Sequence, residues 1–542
     1  MWIGRTARVT TGGALLRPLL IAALAACSLA GAGCQSAGRN TEVLDIGNRR
    51  QVFLDGRFFA RAENVALVVC PPRKTFERTL VPDQPWEKGG LDVYSCVLWV
   101  GDIYHLWYPT DAGLCYARSR DGIRWEKPRL GLAEFDGSRD NNICLGRGAG
   151  GIDRCGSEGM VFHDPTATED QRFRYAVRIS DELKDTVVFS SPDGIHWRLT
   201  HKGVLTFTHP EGRQHLDSQN VIFWDDRIGK YVAYMRYNML QPGFRGRSVV
   251  RSESSRLGGF VEAQKAPVVL GPDALDAHLG IHRAADYYTS GVIKYPWAQD
   301  AYYMFPQLYF HYVPGQLAEF PKECPTNAGP LDTRFAASRD GIVWHRFDRR
   351  PYVSLGMRGD FDSKGARLFY GLVPSTNGRE MYMYYLGTDQ LHGWSPVDPS
   401  WPEKERTRAE RNRRLLTEAG LAPTAETTVI SRLVLRRDGF IAARAAYAGG
   451  EFVTPPLRFS GGELVLNVDT SAAGILQCGL CDADGRPIDG YGVSNCDRIH
   501  TTNEINRPVT WRGRSDVAAL AGRPVRLHFV YRDTDLYAFQ FR

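Results

Sequence analysis

The chain has 542 residues, which is long for one ordinary domain, so two or three domains are expected. With 43% hydrophobic and 24% charged residues, its composition is typical of a soluble globular protein with a full core. The net charge of +6 is small beside 67 basic and 61 acidic residues. Outside one helix-like segment no basic stripe is present, which argues against a nucleic-acid partner.

The N-terminus has the pattern of an export signal. Basic residues precede a short apolar run over residues 19–26, far below the roughly 18 apolar residues that cross a bilayer. The run ends in Leu24-Ala25-Ala26-Cys27, which resembles the lipobox of bacterial lipoproteins, where the cysteine carries the lipid. We therefore predict a leader over residues 1–34, lipidation of Cys27 and a lipoprotein of the cell envelope, in the periplasm or outer membrane. Secretion after simple cleavage is the alternative.

A phrase with the pattern Ser-x-Asp-Gly-Ile-x-Trp occurs three times along the chain. The copies are Ser119–Trp125, Ser191–Trp197 and Ser338–Trp344. The aspartates of the first two copies lie 72 residues apart, and the third follows after 147 residues, close to twice that interval. Worn copies at residues 251–260 and 385–394 fill the series, so five units are expected between about residues 90 and 398.

The repeated phrase has a physical reason. Asp-Gly favours a hairpin turn, because glycine takes a positive φ without strain and the aspartate bonds to the turn backbone. Strand-like segments precede the copies, among them Tyr104–Tyr108, Leu114–Arg118 and Thr186–Ser190. Short strands at even spacing are typical of propeller blades, whereas calcium loops and kelch or WD repeats have shorter periods. The sequence therefore predicts an all-β fold with a five-bladed β-propeller over residues 45–398, in which these turns are mainly structural.

The pattern changes after residue 398. Residues 399–426 alternate in charge, with opposite charges four residues apart, and predict a solvated helical linker; binding to an anionic surface is a lesser alternative. Alternating strands then return, which predicts a jelly-roll-like β-sandwich over residues 427–542 as an accessory domain. No cofactor or metal is predicted, and Cys478-x-x-Cys481 lacks the second ligand pair of a zinc site.

In a propeller the first strand of every blade lies around the central axis, so functional side chains are expected just before or within those strands. The candidate site residues chosen on this ground are Glu87, Asp92 and Tyr94 in blade one, His163 and Asp164 in blade two, His215, Asp217, Gln219 and Asn220 in blade three, Asp286 and Tyr288 in blade four, and Arg367 in blade five.

These candidates also have structural interpretations. Asp164 precedes Pro165 and is suited to form a turn. The polar run 217–220 stands directly before the apolar strand 221–224, so either a hydrogen-bonded network or a wet site must satisfy it, and a site is favoured. Aromatic side chains such as Tyr94 and Tyr288 stack on sugar faces or fill a core.

The segment Phe162-His163-Asp164-Pro165, followed by Phe189–Asp193, resembles the second blade of family 32 and family 43 glycoside hydrolases. Those enzymes carry an Arg-Asp-Pro motif there and a similar Ser-x-Asp-x-x-x-Trp turn. The propeller region with a C-terminal sandwich is also similar to a group of exported proteins of planctomycete-type bacteria. The resemblance covers most of residues 45–542. However, His163 replaces the arginine, and the Asn-Asp-Pro-Asn box of family 32 and the Glu-Cys motif of blade three are absent.

The resemblance implies three carboxylates around the axis, which act as base, transition-state orienter and general acid. Carried over by position, Asp164 is the orienting residue and Asp217 is the acid, where the families usually have a glutamate. Asp92 is the base, with Glu87 as the second choice. The remaining candidates would bind substrate.

The expected function is glycosidase-like, an inverting hydrolysis of a polysaccharide or oligosaccharide by carboxyl groups about 6.5–9.5 Å apart. The expected partner is a carbohydrate, with no nucleic acid, and with the membrane only through the lipid anchor. One alternative is a surface protein that binds glycans without turnover. Another is phosphorolysis, for which Arg245, Arg247 and Arg251 are available in blade three.

Overall fold

The computed structural model describes residues 42–151, 158–178, 186–207, 216–241, 244–273, 275–276, 282–312, 328–394, 397, 402–424 and 428–542. Strands dominate these segments, whose one α-helix spans Glu403–Glu418. No helix within them is long and apolar enough to cross a membrane. The leader with Cys27 and the candidate His215 lie outside the described residues, so lipidation stays a prediction.

The first three blades are four-stranded antiparallel sheets whose strands follow one another along the chain. Blade one consists of Cys96–Val100, Ile103–Thr110, Gly113–Ser119 and Ile143–Gly146. Blade two consists of Met160–His163, Phe173–Arg178, Thr186–Ser191 and Arg198–His201. Blade three consists of Val221–Asp225, Lys230–Gln241, Phe244–Ser254 and Val268–Leu270.

Blade four has three strands among its described residues, and each is broken into two parts that belong to different sheets. The parts are His282–Tyr287 with Val292–Lys294, Tyr302–Met304 with Gln307–Tyr312, and Leu331–Thr333 with Ala336–Ser338. Pro306 stands at the break of the second strand, where its missing N–H cannot continue the ladder. Gly291, at the break of the first, has a φ of +56°.

Blade five is assembled from distant parts of the chain. Its strands run in the order Gly365–Leu368, Glu380–Thr388, Thr428–Arg436 and Arg73–Lys74, and Val373–Pro374 also pairs with the second of them. The helix Glu403–Glu418 therefore lies between its second and third strands. Thr428–Arg436 thus pairs in blade five, whereas the propeller was expected to end at residue 398 and the sandwich to begin at residue 427. Alternation alone does not tell which sheet a strand joins.

The remaining strands form two sheets that share one core. The first contains Leu44–Gly47, Leu457–Phe459, Val525–Arg532, Gly450–Val453 and Arg61–Glu63, with Ile475–Asp482 and Ile499–His500. The second contains Asn503–Pro508, Leu464–Asp469, Thr534–Phe541, Ile441–Ala445 and Val65–Val69, with Gln51–Val52. Phe529 and Phe539 meet across the two sheets, with ring centroids 6.3 Å apart. Strands near the N-terminus thus belong to this sandwich, and the predicted all-β fold of a propeller with a β-sandwich is confirmed.

The three Asp-Gly phrases form one turn, repeated with the same bonds. In the first copy the Ser119 hydroxyl accepts the Gly122 N–H at 2.9 Å, and Asp121 accepts the next two N–H groups at 2.8 Å. The other two copies have equivalent bonds. All three glycines have a positive φ, between +71° and +77°, as the Asp-Gly pattern predicts.

Each of these turns is also tied to the preceding blade. The glycine carbonyl accepts a hydrogen bond from an aromatic side chain on the second strand of that blade. The pairs are Trp107 to Gly194 at 2.7 Å, Tyr234 to Gly341 at 2.7 Å and Tyr384 to Gly122 at 2.6 Å. The last pair joins blade five to blade one and so closes the ring. The repeated phrase therefore marks contacts between blades.

Gly194→Ala is expected to destabilise the protein more than Gly148→Ala. Both glycines have a φ of +77°, so both substitutions bring the same backbone strain. A Cβ on residue 194 would lie 2.5 Å from the Trp107 ring, whereas one on residue 148 meets nothing within 4 Å. Overpacking of this kind costs about 1–3 kcal/mol. Urea unfolding of both variants measures the difference, and equal losses would contradict the role of the Trp107 contact.

Candidate active site

Carboxylates from three consecutive blades lie at the start of their first strands. Asp92 stands four residues before Cys96–Val100, and Asp217 stands four residues before Val221–Asp225. Glu158 stands two residues before Met160–His163. Since first strands surround the axis with their starts at one end, this placement brings the three side chains to one mouth of the propeller.

Two buried amide side chains link the first strands of neighbouring blades. The Gln219 Nε2 donates to the Gly159 carbonyl at 2.9 Å and to the Ser95 carbonyl at 3.3 Å, so it links blades one, two and three. The Gln307 Nε2 donates to the Leu368 carbonyl at 3.0 Å and links blades four and five. Both glutamines are buried, and the bonds of Gln219 fix the loops that carry Asp92, Glu158 and Asp217 relative to one another.

Glu158 and Asp217 form a hydrogen-bonded carboxyl pair held by two arginines. Arg178 lies 2.5 Å from Glu158 through its Nε and 3.4 Å from Asp217 through its Nη2. Arg236 lies 3.2 Å from the Asp217 carboxylate and also donates to the Asp217 carbonyl. Asn220 shapes the same loop, because its Nδ2 donates to the carbonyls of Leu216 and Ser218 at 2.9 and 3.0 Å.

The two members of this pair differ in their pKa values. Burial, and next the neighbouring Asp217 carboxylate, raise the pKa of Glu158 to about 8. For Asp217, burial acts upward, but Arg236, the bond from Glu158 and Arg178 lower the pKa of its carboxyl. The Glu158 side chain is 12% exposed and that of Asp217 is 30% exposed. At neutral pH the pair therefore carries its proton on Glu158, the less exposed residue.

The backbone of Glu158 is in the left-handed region, with a φ of +63°. A glutamate is uncommon there, and such strain persists only where the surroundings enforce it. The bond from Gln219 to the adjoining Gly159 carbonyl is one such constraint. This conformation places the Glu158 carboxyl against Asp217 and Arg178.

The side chains gathered at this mouth, Asp92, Tyr94, Glu158, Asp217, Asp286, Tyr288 and the arginines beside them, are called the pocket below. Asp92 and Tyr94 form its blade-one side. Burial raises the pKa of Asp92, against the lowering effect of Arg367 and of the N–H groups of Val93 and Tyr94. The buried Tyr94 hydroxyl donates to the Tyr288 hydroxyl at 3.3 Å. After burial and Tyr288, the carboxylates of Glu158 and Asp92 also raise the pKa of Tyr94, so both act electrostatically on its hydroxyl.

Blade four contributes Asp286 and Tyr288. The Tyr288 ring faces the guanidinium groups of Arg236, Arg247 and Arg367, at 5.7, 5.1 and 5.8 Å from its centroid, within the range of cation–π interaction. Asp286 accepts the Arg247 N–H at 2.9 Å and is ion-paired with the Arg247 guanidinium. His311 lies 2.7 Å from the same carboxylate. Against the opposing effect of burial, His311 and Arg247 lower the pKa of Asp286 to about 2.

Glu87 occupies a different environment. Its carboxylate accepts the Tyr108 hydroxyl at 2.7 Å, the Lys127 ammonium at 2.7 Å and the N–H groups of Asp83 and Gln84 at 2.9 and 3.1 Å. The side chain is fully buried. These contacts use the acceptor capacity of the carboxylate and hold the loop before blade one. They explain the burial of Glu87 as structural, with no need for a catalytic role.

Asp164 lies at the opposite end of the first strand of blade two. It follows Met160–His163, and at about 3.3 Å per residue this puts it roughly 13 Å beyond the strand start. Its buried carboxylate accepts from Arg174 at 3.2 Å, Tyr231 at 2.8 Å and Thr166 at 2.7 Å. The adjoining His163 is exposed and packs edge-on against Phe173. The structure therefore separates Asp164 and His163 from Asp92, Asp217 and their neighbours.

Glu158 is absent from the residues chosen from the sequence. The rule that functional side chains stand just before each first strand would have found it, since it precedes its strand more closely than Asp92 or Asp217 does. The resemblance of His163-Asp164-Pro165 to a family motif pointed instead to the far end of that strand. Within the described residues no cluster of three or more His, Cys, Asp or Glu side chains is arranged to hold a metal.

No protein-family model and no curated protein matches the chain. Among solved structures, a thermostable family-43 glycoside hydrolase is 15% identical, with a TM-score of 0.41 over 65% of this chain and 92% of the other. A family 43 arabinoxylan arabinofuranohydrolase from Bacillus subtilis, in complex with cellotetraose, is 13% identical, with a TM-score of 0.34 over 84% and 97%. An endo-1,4-beta-xylanase from Bacteroides thetaiotaomicron is 10% identical, with a TM-score of 0.37 over 55% and 86%. Identities and TM-scores this low support no argument about function, so the proposed function is based on the side chains of this chain alone.

Proposed function

We propose that the protein hydrolyses a glycosidic bond of an oligosaccharide or polysaccharide, with Glu158 as general acid and Asp92 as general base. The observation that supports this is the placement of Asp92, Glu158 and Asp217 before the first strands of three consecutive blades. Glycoside cleavage needs one protonated carboxyl group at the leaving oxygen and one ionised carboxylate elsewhere around the sugar.

Glu158 is suited to be the acid. It holds a proton at neutral pH, because burial and Asp217 raise its pKa to about 8. Asp217 is hydrogen-bonded to Glu158, so the two lie too close together to stand on opposite faces of a sugar. Asp217 is thus a positioning residue that orients Glu158 and keeps it protonated. The proposed roles of blades two and three are the reverse of those implied by the family resemblance.

Asp92 is the remaining carboxylate and is suited to be the base. In the proposed step, Glu158 gives its proton to the glycosidic oxygen as the bond from this oxygen to the anomeric carbon breaks. Water attacks that carbon from the other face and gives a proton to Asp92. The product sugar has the inverted configuration, and solvent then returns the proton from Asp92 to Glu158.

The test is turnover of neutral and acidic polysaccharides and aryl glycosides by the purified protein, with the anomer of the first product read by proton NMR. We expect release of reducing sugar with inversion, independent of inorganic phosphate. Saturable sugar binding without turnover would favour the glycan-binding alternative. Turnover that requires phosphate would favour phosphorolysis, and retention of configuration would contradict the role of Asp92.

We also propose that the protein acts at the cell envelope. The support is the sequence pattern of the leader over residues 1–34, which ends its apolar run at Cys27. A lipid anchor there would hold the propeller at a membrane surface, where it meets exported or external polysaccharides. Replacement of Cys27 by serine and partitioning of the protein between membrane and soluble fractions tests the anchor.

A further inference from the structure

With the proton on Glu158, the pocket contains more positive than negative charge, because its four arginines face only the carboxylates of Asp92, Asp217 and Asp286. Arg178 and Arg236 are both paired with Asp217, and Arg247 is paired with Asp286. Among the described residues Arg367 has no carboxylate within ion-pair distance.

Arg367 is aimed into the pocket by a fixed neighbour. It lies on Gly365–Leu368, the first strand of blade five, and its Nε donates to the Gln307 Oε1 at 3.3 Å. Gln307 cannot turn away, because its amide nitrogen is bonded to the Leu368 carbonyl. The Arg367 guanidinium lies over the Tyr288 ring and close enough to Asp92 to affect it electrostatically. Its two terminal nitrogens are left with no partner among the described residues, and these are the donors that bind an anion in a fork.

A second observation also indicates that the pocket binds a group that accepts hydrogen bonds. The Nε atoms of Arg236 and Arg247 are buried and have no hydrogen-bond acceptor within the described residues. Arg236 is 6% exposed, and both arginines lie on the Tyr288 ring beside Arg367. Buried donors of this kind are costly unless a bound group accepts from them. Two of the three arginines around the Tyr288 ring therefore have an unsatisfied buried donor, and the third, Arg367, presents its charge and its two terminal nitrogens to whatever enters the pocket.

We propose that the sugar unit bound in this pocket carries an anionic group, a carboxylate or a sulfate, which Arg367 binds through its two terminal nitrogens. The substrate class is thus an acidic glycan. The inference rests on the proposed function only in that a sugar occupies this pocket. Its binding can be measured without turnover.

Binding of four trisaccharide probes tests the inference: a trimer of galacturonic acid, its methyl ester, a neutral galactose trimer and a 6-O-sulfated galactose trimer. The ester has nearly the shape of the acid but no charge. Calorimetry with Glu158→Gln removes turnover, and glutamine mimics the protonated acid. We expect at least one acidic trimer to bind at least about tenfold more tightly than its uncharged counterpart, with the preference weakened by salt. Whether the uronate or the sulfate shows it identifies the anion.

Arg367→Gln should abolish this preference, and Arg367→Lys should keep part of it. Arg124→Gln, in an exposed turn of blade one, is the matched control and should behave as the parent. Far-UV circular dichroism and thermal unfolding check that each variant folds. If Arg367→Gln does not fold, the preference for charged over uncharged probes in the parent and in Arg367→Lys still tests the proposal. Equal binding of charged and uncharged probes, no binding of any acidic probe, or a preference that survives in folded Arg367→Gln would overturn the proposal. Failure to hydrolyse with charge preference retained would reject only the proposed reaction.

Discussion

Glu158→Gln is expected to lower kcat/KM by about 10²–10⁴-fold on substrates with a poor leaving group, because glutamine cannot give a proton to the glycosidic oxygen. The substitution is nearly isosteric and keeps hydrogen-bonding groups toward Asp217 and Arg178, so the fold should persist. An aryl glycoside with an acidic phenol leaving group needs less protonation and should lose much less activity. Steady-state rates on both substrate types measure the effect.

Glu169→Gln is the matched control, since Glu169 lies on the exterior of the same blade with its side chain 92% exposed. It should leave both rates unchanged.

Asp164→Asn tests whether Asp164 or Glu158 is the carboxylate of blade two that the reaction requires. The contacts of Asp164 with Arg174, Tyr231 and Thr166 predict a loss of stability of about 3 kcal/mol, with turnover kept in the folded protein. Normal rates in Glu158→Gln together with abolished turnover in folded Asp164→Asn would mean that Asp164, and not Glu158, is the carboxylate of blade two that the reaction requires.

Asp217→Asn is expected to move the alkaline limb of the pH–activity profile downward. Activity requires protonated Glu158, so in the parent protein it should be lost as the pH rises through about 8. Removing the Asp217 charge removes a cause of that raised pKa, while Arg178 remains to favour the ionised form, so the limb should fall by about one pH unit or more. At pH 8 the variant should therefore be much less active than at pH 6.

The pH dependence of kcat/KM from pH 4 to 10 measures this shift. Asp226→Asn is the control, because Asp226 belongs to the same blade but is 78% exposed and pairs with Lys294 outside the pocket. Its profile should match that of the parent. An unchanged alkaline limb in Asp217→Asn, together with a uniform loss of rate, would mean that Asp217 acts only through structure and does not govern the proton on Glu158.

The architecture was accessible from the sequence because its signals are local. Each Asp-Gly turn is specified by seven adjacent residues, and the resulting hydrogen bonds are the same in all three copies. The pairing of residues 428–436 with 380–388, and of residues 44–69 with the sandwich, was not accessible. An alternating strand records which face is buried but not which neighbour covers its edge.

The site was accessible only in part. Counting blades led to Asp92 and Asp217, because a repeat fixes where each first strand begins. Glu158 needed the position of a short strand two residues away, and its contact with Asp217 joins residues from different blades. Buried carboxylates such as Glu87 and Asp164 look the same as functional ones in a sequence, since their partners Lys127 and Tyr231 lie 40 and 67 residues away.

The way the chain shares its strands constrains the order in which the molecule can form during synthesis. Gln51 pairs with Phe539, and Val65–Val69 pairs with Ile441–Ala445. These N-terminal strands therefore stay unpaired until the C-terminal part of the chain has been synthesised. Blade five likewise stays open until residues 428–436 arrive. Such non-local pairing is slow, and it leaves strand edges exposed to aggregation until the chain is complete. A polypeptide cut near residue 427 would not be a free propeller but a ring with an unsealed fifth blade and unpaired strands at its beginning.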